Sequence, residues 1–216
     1  MKKRIKINGF IIFFCVILVA VFHKQFLRLD EAEGDILVQI LGMFIMLFGM
    51  LFRVSSRGFK SEYSVGGKTL VTGGPYSIVR NPMYLGISCI ALGLILLMFQ
   101  WWVFLVFLVI FALRYITLIF KEEKLLKNNF GQQYSEYQKA VPRLLPRLKA
   151  VFTGKLFKAL SIKGSWLKKE ANGIVPLLII VFGFAIWKGV ANFMILAAVA
   201  LVFTLFLRNN YGKSSN

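Results

Sequence analysis

Six apolar stretches divide this 216-residue chain, and they set the strongest limit on its fold. They lie at about 7–22, 36–52, 83–99, 101–120, 174–187 and 190–207. Apolar runs approaching 20 residues are typical of helices that cross the hydrocarbon core of a bilayer. With 58% hydrophobic residues and a mean hydropathy of +0.71, the chain is predicted to be an all-α, polytopic transmembrane helical bundle with about six spans.

The first and last stretches allow other interpretations. The first follows a basic segment, as a signal peptide would, but no small-residue cleavage site comes after Phe22. It is therefore predicted to be retained as a helix. The last two stretches are short for full spans, and a shallow re-entrant hairpin around Lys188 and Gly189 is the alternative.

Lysine and arginine are distributed unevenly between the two predicted faces. Segments 1–6, 53–82, 121–173 and 208–216 hold 23 of the 27 basic residues, the opposite loops hold 3, and Arg114 lies inside a stretch. Because basic loops resist translocation, both termini and the first set of segments are predicted to be cytoplasmic. The net charge of +18 is then predicted to attract the lipid bilayer rather than nucleic acid.

The cysteines and the histidine favour neither a disulfide nor a metal site. Cys15 and Cys89 fall inside apolar stretches, and His23 has no cluster of histidine or cysteine near it. They are interpreted as buried or interfacial residues, and no metal is predicted.

A segment rich in turn residues, 69–86 (TLVTGGPYSIVRNPMYLG), leads into the third stretch. Its TGGP is typical of a turn, because glycine tolerates positive φ and proline presets its own φ. Asn81 is predicted to cap the following helix and Pro82 to occupy its first position. A capped helix entry does not explain Arg80, its neighbouring tyrosines or the glycines, so this segment is predicted to bind a ligand.

A second segment, 121–146 (KEEKLLKNNFGQQYSEYQKAVPRLLP), follows the fourth stretch. Only Gln100 separates the third and fourth stretches, so a tight antiparallel hairpin is predicted to bring both segments together. The adjacent acids Glu122 and Glu123 are interpreted either as solvated charges or, in so basic a face, as a site for a cationic ligand. Phe130, Tyr134 and Tyr137 recur at helical spacing, and Pro142 with Pro146 is predicted to end the helix.

Arg114 lies about two helical turns inside the fourth stretch. It precedes Glu122 by eight residues, which places both close to one helical face. An arginine at this depth is costly unless it is paired or faces a polar cavity, so it is a candidate functional residue. The alternative is that its side chain snorkels to the cytoplasmic interface.

The two segments together closely resemble the isoprenylcysteine carboxyl methyltransferase family and its relatives, the membrane phospholipid methyltransferases. The resemblance covers about 64–146 and includes, in order, the RNPMYLG turn, the double glutamate, FGQQYSEY and VPR. Asn81 stands where the family usually has histidine. The resemblance implies methyl transfer from S-adenosylmethionine, bound in a cytoplasmic-face pocket built from loops and a short C-terminal helical segment. No G-x-G-x-x-G pattern of a soluble dinucleotide-binding domain occurs.

The resemblance and the residue chemistry together define the candidate site residues. Those for cofactor binding are Gly74, Tyr76, Arg80, Asn81, Pro82, Tyr84, Glu122 and Glu123. Those for catalysis are Glu123, Tyr134 and Arg143, and those for substrate binding are Arg114, Tyr137 and Arg143. Carboxylates and aromatic faces suit the sulfonium and ammonium of S-adenosylmethionine, whereas an arginine suits a carboxylate acceptor or a headgroup phosphate.

The predicted function is methyl transfer to a membrane-embedded lipidic acceptor. Carboxyl O-methylation of an isoprenylcysteine-type substrate is the first choice, and N-methylation of a phospholipid ethanolamine headgroup is the alternative. An NADPH-dependent, sterol-reductase-like enzyme and a non-catalytic scaffold or transporter subunit also stay open. The predicted organisation is membrane helices in 1–63, a methyltransferase core in 64–150, and a basic linker with a C-terminal membrane hairpin in 151–216.

Overall fold

A computed structural model of the chain describes residues 17, 19, 21–28, 35–147, 150 and 153–188. Its α-helices are α1 (His23–Phe26), α2 (Asp35–Tyr63), α3 (Pro82–Met98), α4 (Trp101–Phe111), α5 (Thr117–Ala140), α6 (Lys155–Ala159) and α7 (Gly164–Lys188). Short 3-10 helices occur at Val65–Gly67 and Gly74–Ser77, and the π-helical segment Ala112–Ile116 joins α4 to α5. The prediction of an all-α fold is confirmed for this part of the chain, in which no strand occurs.

Two helical stretches among the described residues are long and apolar enough to cross a membrane. They are Leu37–Tyr63 and Trp101–Ala140, and Pro82–Met98 is a shorter apolar helix. These helices contain the second, third and fourth predicted stretches, and the fifth lies within α7. The stretches at 7–22 and 190–207, Cys15 and both termini lie largely or wholly outside the described residues. The count of six spans therefore stays a prediction.

Helix α2 continues well past the predicted end of its apolar stretch and adds a charged extension. The extension carries Arg53, Arg57 and Lys60, which belong to the segment predicted to be cytoplasmic. Arg53 and Arg57 pair with the buried Glu170 of α7 at 3.3 and 2.7 Å. These ion pairs join the charged extension of α2 to α7.

Helices α2 and α3 pack closely because glycines face one another. A Cβ atom at Gly49 would lie 2.7 Å from the carbonyl oxygen of Gly86, and one at Gly42 would lie 2.9 Å from that of Gly93. Small residues let helix backbones approach in lipid, where dispersion forces rather than the hydrophobic effect join helices. This contact fixes α3 against α2 and thereby sets the position of the turn at its N-terminus.

We expect Gly49→Leu to separate α2 from α3 and to destabilise the protein by about 1–3 kcal/mol, the usual cost of overpacking. Gly183→Leu in α7 is the matched control, because no described atom lies within 4 Å of a Cβ added there. Thermal unfolding of both variants in one detergent checks the expectation. Equal unfolding midpoints would contradict the close packing of α2 and α3.

The α3–α4 connection is the predicted tight hairpin, with only Phe99 and Gln100 between the helices. Next to it, the Arg28 N–H donates to the Met98 carbonyl and the Gln100 N–H to the Phe26 carbonyl, both at 2.9 Å. The segment after α1 is thus joined to this end of the hairpin. The opposite end carries the two segments that were predicted to form a site.

Two irregularities interrupt the helical stretch formed by α4 and α5. The π-helical segment Ala112–Ile116 contains Arg114 and shifts the register of the helix, so the eight-residue spacing to Glu122 does not by itself place both on one face. The second is Gly131, whose φ of 50° and ψ of −119° break a series of aromatic residues that was expected to be regular helix.

Candidate active site

Backbone hydrogen bonds join the two predicted segments. The Arg80 N–H donates to the Pro142 carbonyl at 2.8 Å, and the Asn81 N–H donates to the Arg143 carbonyl at 3.1 Å. Helix α5 ends at Ala140, two residues before the proline, as predicted. The turn before α3 therefore lies directly against the segment that follows α5.

Glu123 lies at the centre of a buried ion-pair cluster. Its carboxylate accepts a hydrogen bond from the Asn81 amide at 3.0 Å and pairs with Arg80 at 3.3 Å and Arg143 at 3.1 Å. The side chains of Glu123 and Arg80 are only 6% and 7% exposed. A carboxylate at this depth is tolerated because the two arginines and the Asn81 amide compensate its charge. In this arrangement Glu123 connects the two segments.

Asn81 occupies the N-cap position of α3, but its side chain makes no capping hydrogen bond, so the capping prediction was wrong. Its amide nitrogen donates instead to Glu123 and to the Arg143 carbonyl at 3.1 Å. A charged carboxylate makes stronger hydrogen bonds than neutral groups do, which explains why the side chain turns toward it. Pro82 does occupy the first helical position, as predicted.

A cavity of about 280 Å³ lies beside this cluster. The predicted site residues that line it are Tyr76, Arg80, Asn81, Pro82, Tyr84, Glu122 and Tyr137. Those that do not line it are Gly74, Arg114, Glu123, Tyr134 and Arg143. The cavity thus takes residues from both predicted segments, and it is the candidate ligand-binding site.

Glu122 faces this cavity, unlike its neighbour in sequence. One carboxylate oxygen accepts a hydrogen bond from the Tyr84 hydroxyl at 2.9 Å, and the other accepts one from the Lys60 ammonium at 3.3 Å. Its side chain is 36% exposed, against 6% for Glu123. Consecutive helical residues point about 100° apart, which separates the surroundings of the two acids. A cationic ligand in the cavity would meet the Glu122 carboxylate.

Two tyrosines tie the cavity wall to α2. The Tyr137 hydroxyl donates to the Tyr76 carbonyl at 2.6 Å, and the Tyr76 hydroxyl donates to the Ser56 carbonyl at 3.5 Å. Burial, together with the nearby Glu122 carboxylate, raises the pKa of Tyr76, so this phenol stays protonated and keeps its role as a donor.

Gly74 and Tyr134 do not line the cavity. Gly74 has a φ of +55° and its Cα packs against the ring of Phe59, so an added Cβ would come within 2.7 Å of that ring. This close contact accounts for a glycine at that position. Tyr134 is only 1% exposed, and its hydroxyl has no hydrogen-bond partner among the described residues.

The two arginines predicted to bind substrate also lie outside the cavity wall. Arg143 stacks over the ring of Phe120 at 4.3 Å while it pairs with Glu123, and 40% of its side chain is exposed. Arg114 is exposed within the π-helical segment. The structure therefore places Arg143 beside the site and Arg114 farther along the helix.

Sequence reasoning missed Lys60, which lines the cavity and pairs with Glu122. A signal was available, because Arg53, Arg57 and Lys60 are separated by four and three residues, the spacing of one helical face. No feature of the sequence indicated that these three basic residues pair with Glu170 and Glu122. Phe130, which was noted only for its spacing, also lines the cavity.

Comparison with known proteins gives a family model and a curated relative that are similar to parts of the chain. A family model described as phospholipid methyltransferase matches residues 37–133, a range that includes Arg80 and Glu122 and ends before Arg143. The chain is 38% identical over 123 residues to the cobalt-zinc-cadmium resistance protein CzcN of Cupriavidus metallidurans, an alignment that covers 56% of this chain and 55% of that protein. The match thus spans about half the length of this relative. No solved structure matches the chain.

Proposed function

We propose that this protein transfers a methyl group from S-adenosylmethionine to a lipidic acceptor in the membrane, because a family model described as phospholipid methyltransferase matches residues 37–133. The observation that carries the proposal is the partly exposed Glu122 carboxylate in the cavity between the two motif segments. The distribution of basic residues supports a site on the cytoplasmic side, with both termini on that side as well.

The residues that line the cavity suit the chemical groups of the proposed donor. When bound, S-adenosylmethionine supplies an electrophilic methyl group on a positively charged sulfonium, and it also carries an ammonium and a carboxylate. Glu122 would hold the ammonium, and the rings of Tyr84 and Phe130 would offer electron-rich faces to positive charge. Lys60, which pairs with Glu122 at 3.3 Å, would contact the carboxylate of the donor. The chain thus provides a complement for each charge.

The charges at the site favour an anionic acceptor. Lys60, Arg80 and Arg143 bring three positive charges, whereas Glu122 and Glu123 bring two negative ones. A carboxylate acceptor is already a nucleophile, and the exposed part of the Arg143 guanidinium would hold it through two parallel hydrogen bonds. Our first candidate reaction is therefore carboxyl O-methylation of an isoprenylcysteine-type lipid.

The description of the matching family favours a second acceptor, the ethanolamine headgroup of a phospholipid. An ammonium group must lose a proton before its nitrogen attacks a methyl group, so this reaction requires a base. Among the described cavity residues, Glu122 is the carboxylate that would accept this proton. The two candidates thus assign different tasks to the same side chain.

Purified protein supplied with methyl-labelled S-adenosylmethionine tests the proposal and separates its two forms. With N-acetyl-S-farnesylcysteine as acceptor, we expect a labelled methyl ester that mild base releases as methanol. With phosphatidylethanolamine, the alternative predicts a base-stable N-methyl label. The proposal fails if the protein neither binds S-adenosylmethionine nor labels any lipid, and binding of NADPH instead would favour a reductase.

We expect Arg143→Lys to lower methyl transfer about tenfold, because lysine keeps the charge but loses the planar fork that grips a carboxylate. Binding of S-adenosylmethionine should stay unchanged, since Arg143 does not line the cavity. Arg57→Lys is the matched control, because Arg57 also pairs with a buried glutamate and its side chain is 50% exposed. Near-normal turnover of Arg143→Lys would mean that this arginine does not hold the acceptor and only pairs with Glu123.

A further inference from the structure

A second cavity borders the same two backbone segments but shares no lining residue with the first. Its volume is about 540 Å³. Ile78 lies in its wall two residues before Arg80, and Pro142 lies there one residue before Arg143. A ligand in this cavity would therefore contact the backbone that carries the candidate active-site arginines.

All charged side chains among the described residues that line this second cavity are basic. They are Arg147, Lys155 and Lys158, and each is exposed. None of the three forms an ion pair within the described part of the chain, whereas Lys60, Arg80 and Arg143 all have acidic partners. Cations that converge on one concave surface create a positive potential that attracts an anion.

The two lysines are held at the cavity by the packing of their helix. Leu156 and Leu160, on and just after α6, are 3% and 0% exposed and belong to the same apolar cluster as Ile78. Helix α6 is thus anchored against the turn that precedes α3. Lys155 and Lys158 consequently lie at a fixed wall, which favours a defined binding site over diffuse attraction to a flexible segment.

The donor groups of this cavity match a phosphate. Lysine ammonium groups bind phosphate as point charges, and the Arg147 guanidinium has the fork that contacts two phosphate oxygens. The Ser77 hydroxyl already donates to the Gly74 carbonyl at 2.7 Å, so the cations would supply the hydrogen bonds. Apolar wall residues such as Ile78 and Ala159 would contact the glycerol portion of a lipid.

We infer that this second cavity binds a phosphate group, with the headgroup of an anionic phospholipid as its source. It lies on the face predicted to be cytoplasmic, where anionic headgroups attract basic side chains. This inference does not depend on the proposed methyl transfer, because the test measures binding of the phosphate-containing ligand and not enzymatic activity. Free inorganic phosphate offers the same chemistry and is distinguished by experiment.

The test measures binding to the purified full chain in a neutral detergent. The probes are dihexanoyl phosphatidic acid, inorganic phosphate and, as a neutral lipid, dihexanoyl phosphatidylcholine. We expect Lys155→Gln/Lys158→Gln to weaken binding of the phosphatidic acid about thirtyfold and Arg147→Gln to weaken it about fivefold, given the usual contribution of each basic residue. Lys168→Gln/Lys169→Gln removes the same charge from exposed positions of α7 outside the cavity and should leave binding unchanged.

Each outcome decides the inference. Tight binding of phosphatidic acid with weak binding of inorganic phosphate supports a lipid source, and equal affinity for both supports phosphate itself as the ligand. An equal loss in the two double variants would mean general attraction to a basic face and would overturn the site. Binding that survives both Lys155→Gln/Lys158→Gln and Arg147→Gln would overturn it as well.

Discussion

Glu122→Gln is expected to weaken binding of S-adenosylmethionine roughly ten- to hundredfold, the range for a lost charge-assisted contact. Glutamine keeps an oxygen for the Tyr84 hydroxyl, which donates to Glu122 at 2.9 Å, so the cavity wall should keep its shape. The negative charge is lost, and the ammonium of the donor would then lack its partner. Calorimetric titration of purified protein measures this change.

The matched control for this variant is Glu136→Gln on the same helix. Glu136 is exposed and accepts a hydrogen bond from Gln132 at 3.3 Å, outside the cavity. Titration with S-adenosylhomocysteine, which keeps the ammonium but has an uncharged sulfur, separates two contacts. An equal loss of affinity for both compounds assigns Glu122 to the ammonium, and a loss confined to S-adenosylmethionine assigns it to the sulfonium. Unchanged affinity for both compounds would show that Glu122 does not contact the ligand.

The parts of the fold that were predicted correctly depend on local chemistry. Pro82 starts α3 because proline lacks the N–H that the first helical position does not need, and Pro142 prevents α5 from continuing. The single polar residue Gln100 between two apolar stretches indicated the hairpin that brings the two segments together. Each of these signals lies within a few residues of the feature that it specifies.

The features that were missed depend on partners distant in the sequence. The charged extension of α2 pairs with Glu170 and Glu122, which lie more than 60 residues away. The Asn81 side chain leaves its capping role for Glu123, 42 residues farther along the chain. Local propensity favours the cap, but the charge of a buried carboxylate outweighs it once the chain has folded.

Glu122 and Glu123 were both predicted to bind the cofactor, and Glu123 was predicted to take part in catalysis as well, but their surroundings differ. Side chains of consecutive residues point in different directions on a helix, so one reaches the cavity and the other reaches the interior. Which acid points inward depends on the register of α5, and that register follows the π-helical segment Ala112–Ile116. The spacing of residues in the sequence does not reveal this register, so it could not predict which acid faces the cavity.

Glu123→Gln is expected to destabilise the protein by about 3–5 kcal/mol, because the buried Arg80 would lose its compensating charge. The Arg80 side chain is 7% exposed, so water replaces the lost partner poorly. Glu122→Gln should cost no more than about 1 kcal/mol of stability, since its pair with Lys60 is solvent-accessible. Denaturant titration of both variants in the same detergent checks this contrast.

A double variant distinguishes a lost charge from lost packing. If the cost of Glu123→Gln arises from an uncompensated Arg80, then adding Arg80→Met should recover part of the stability, because the buried charge is removed along with its partner. Arg143 is 40% exposed and would remain solvated in both variants. Equal instability of the single and double variants would point to packing instead. If Glu123→Gln has normal stability but does not bind S-adenosylmethionine, then Glu123 contacts the ligand and is not primarily a structural residue.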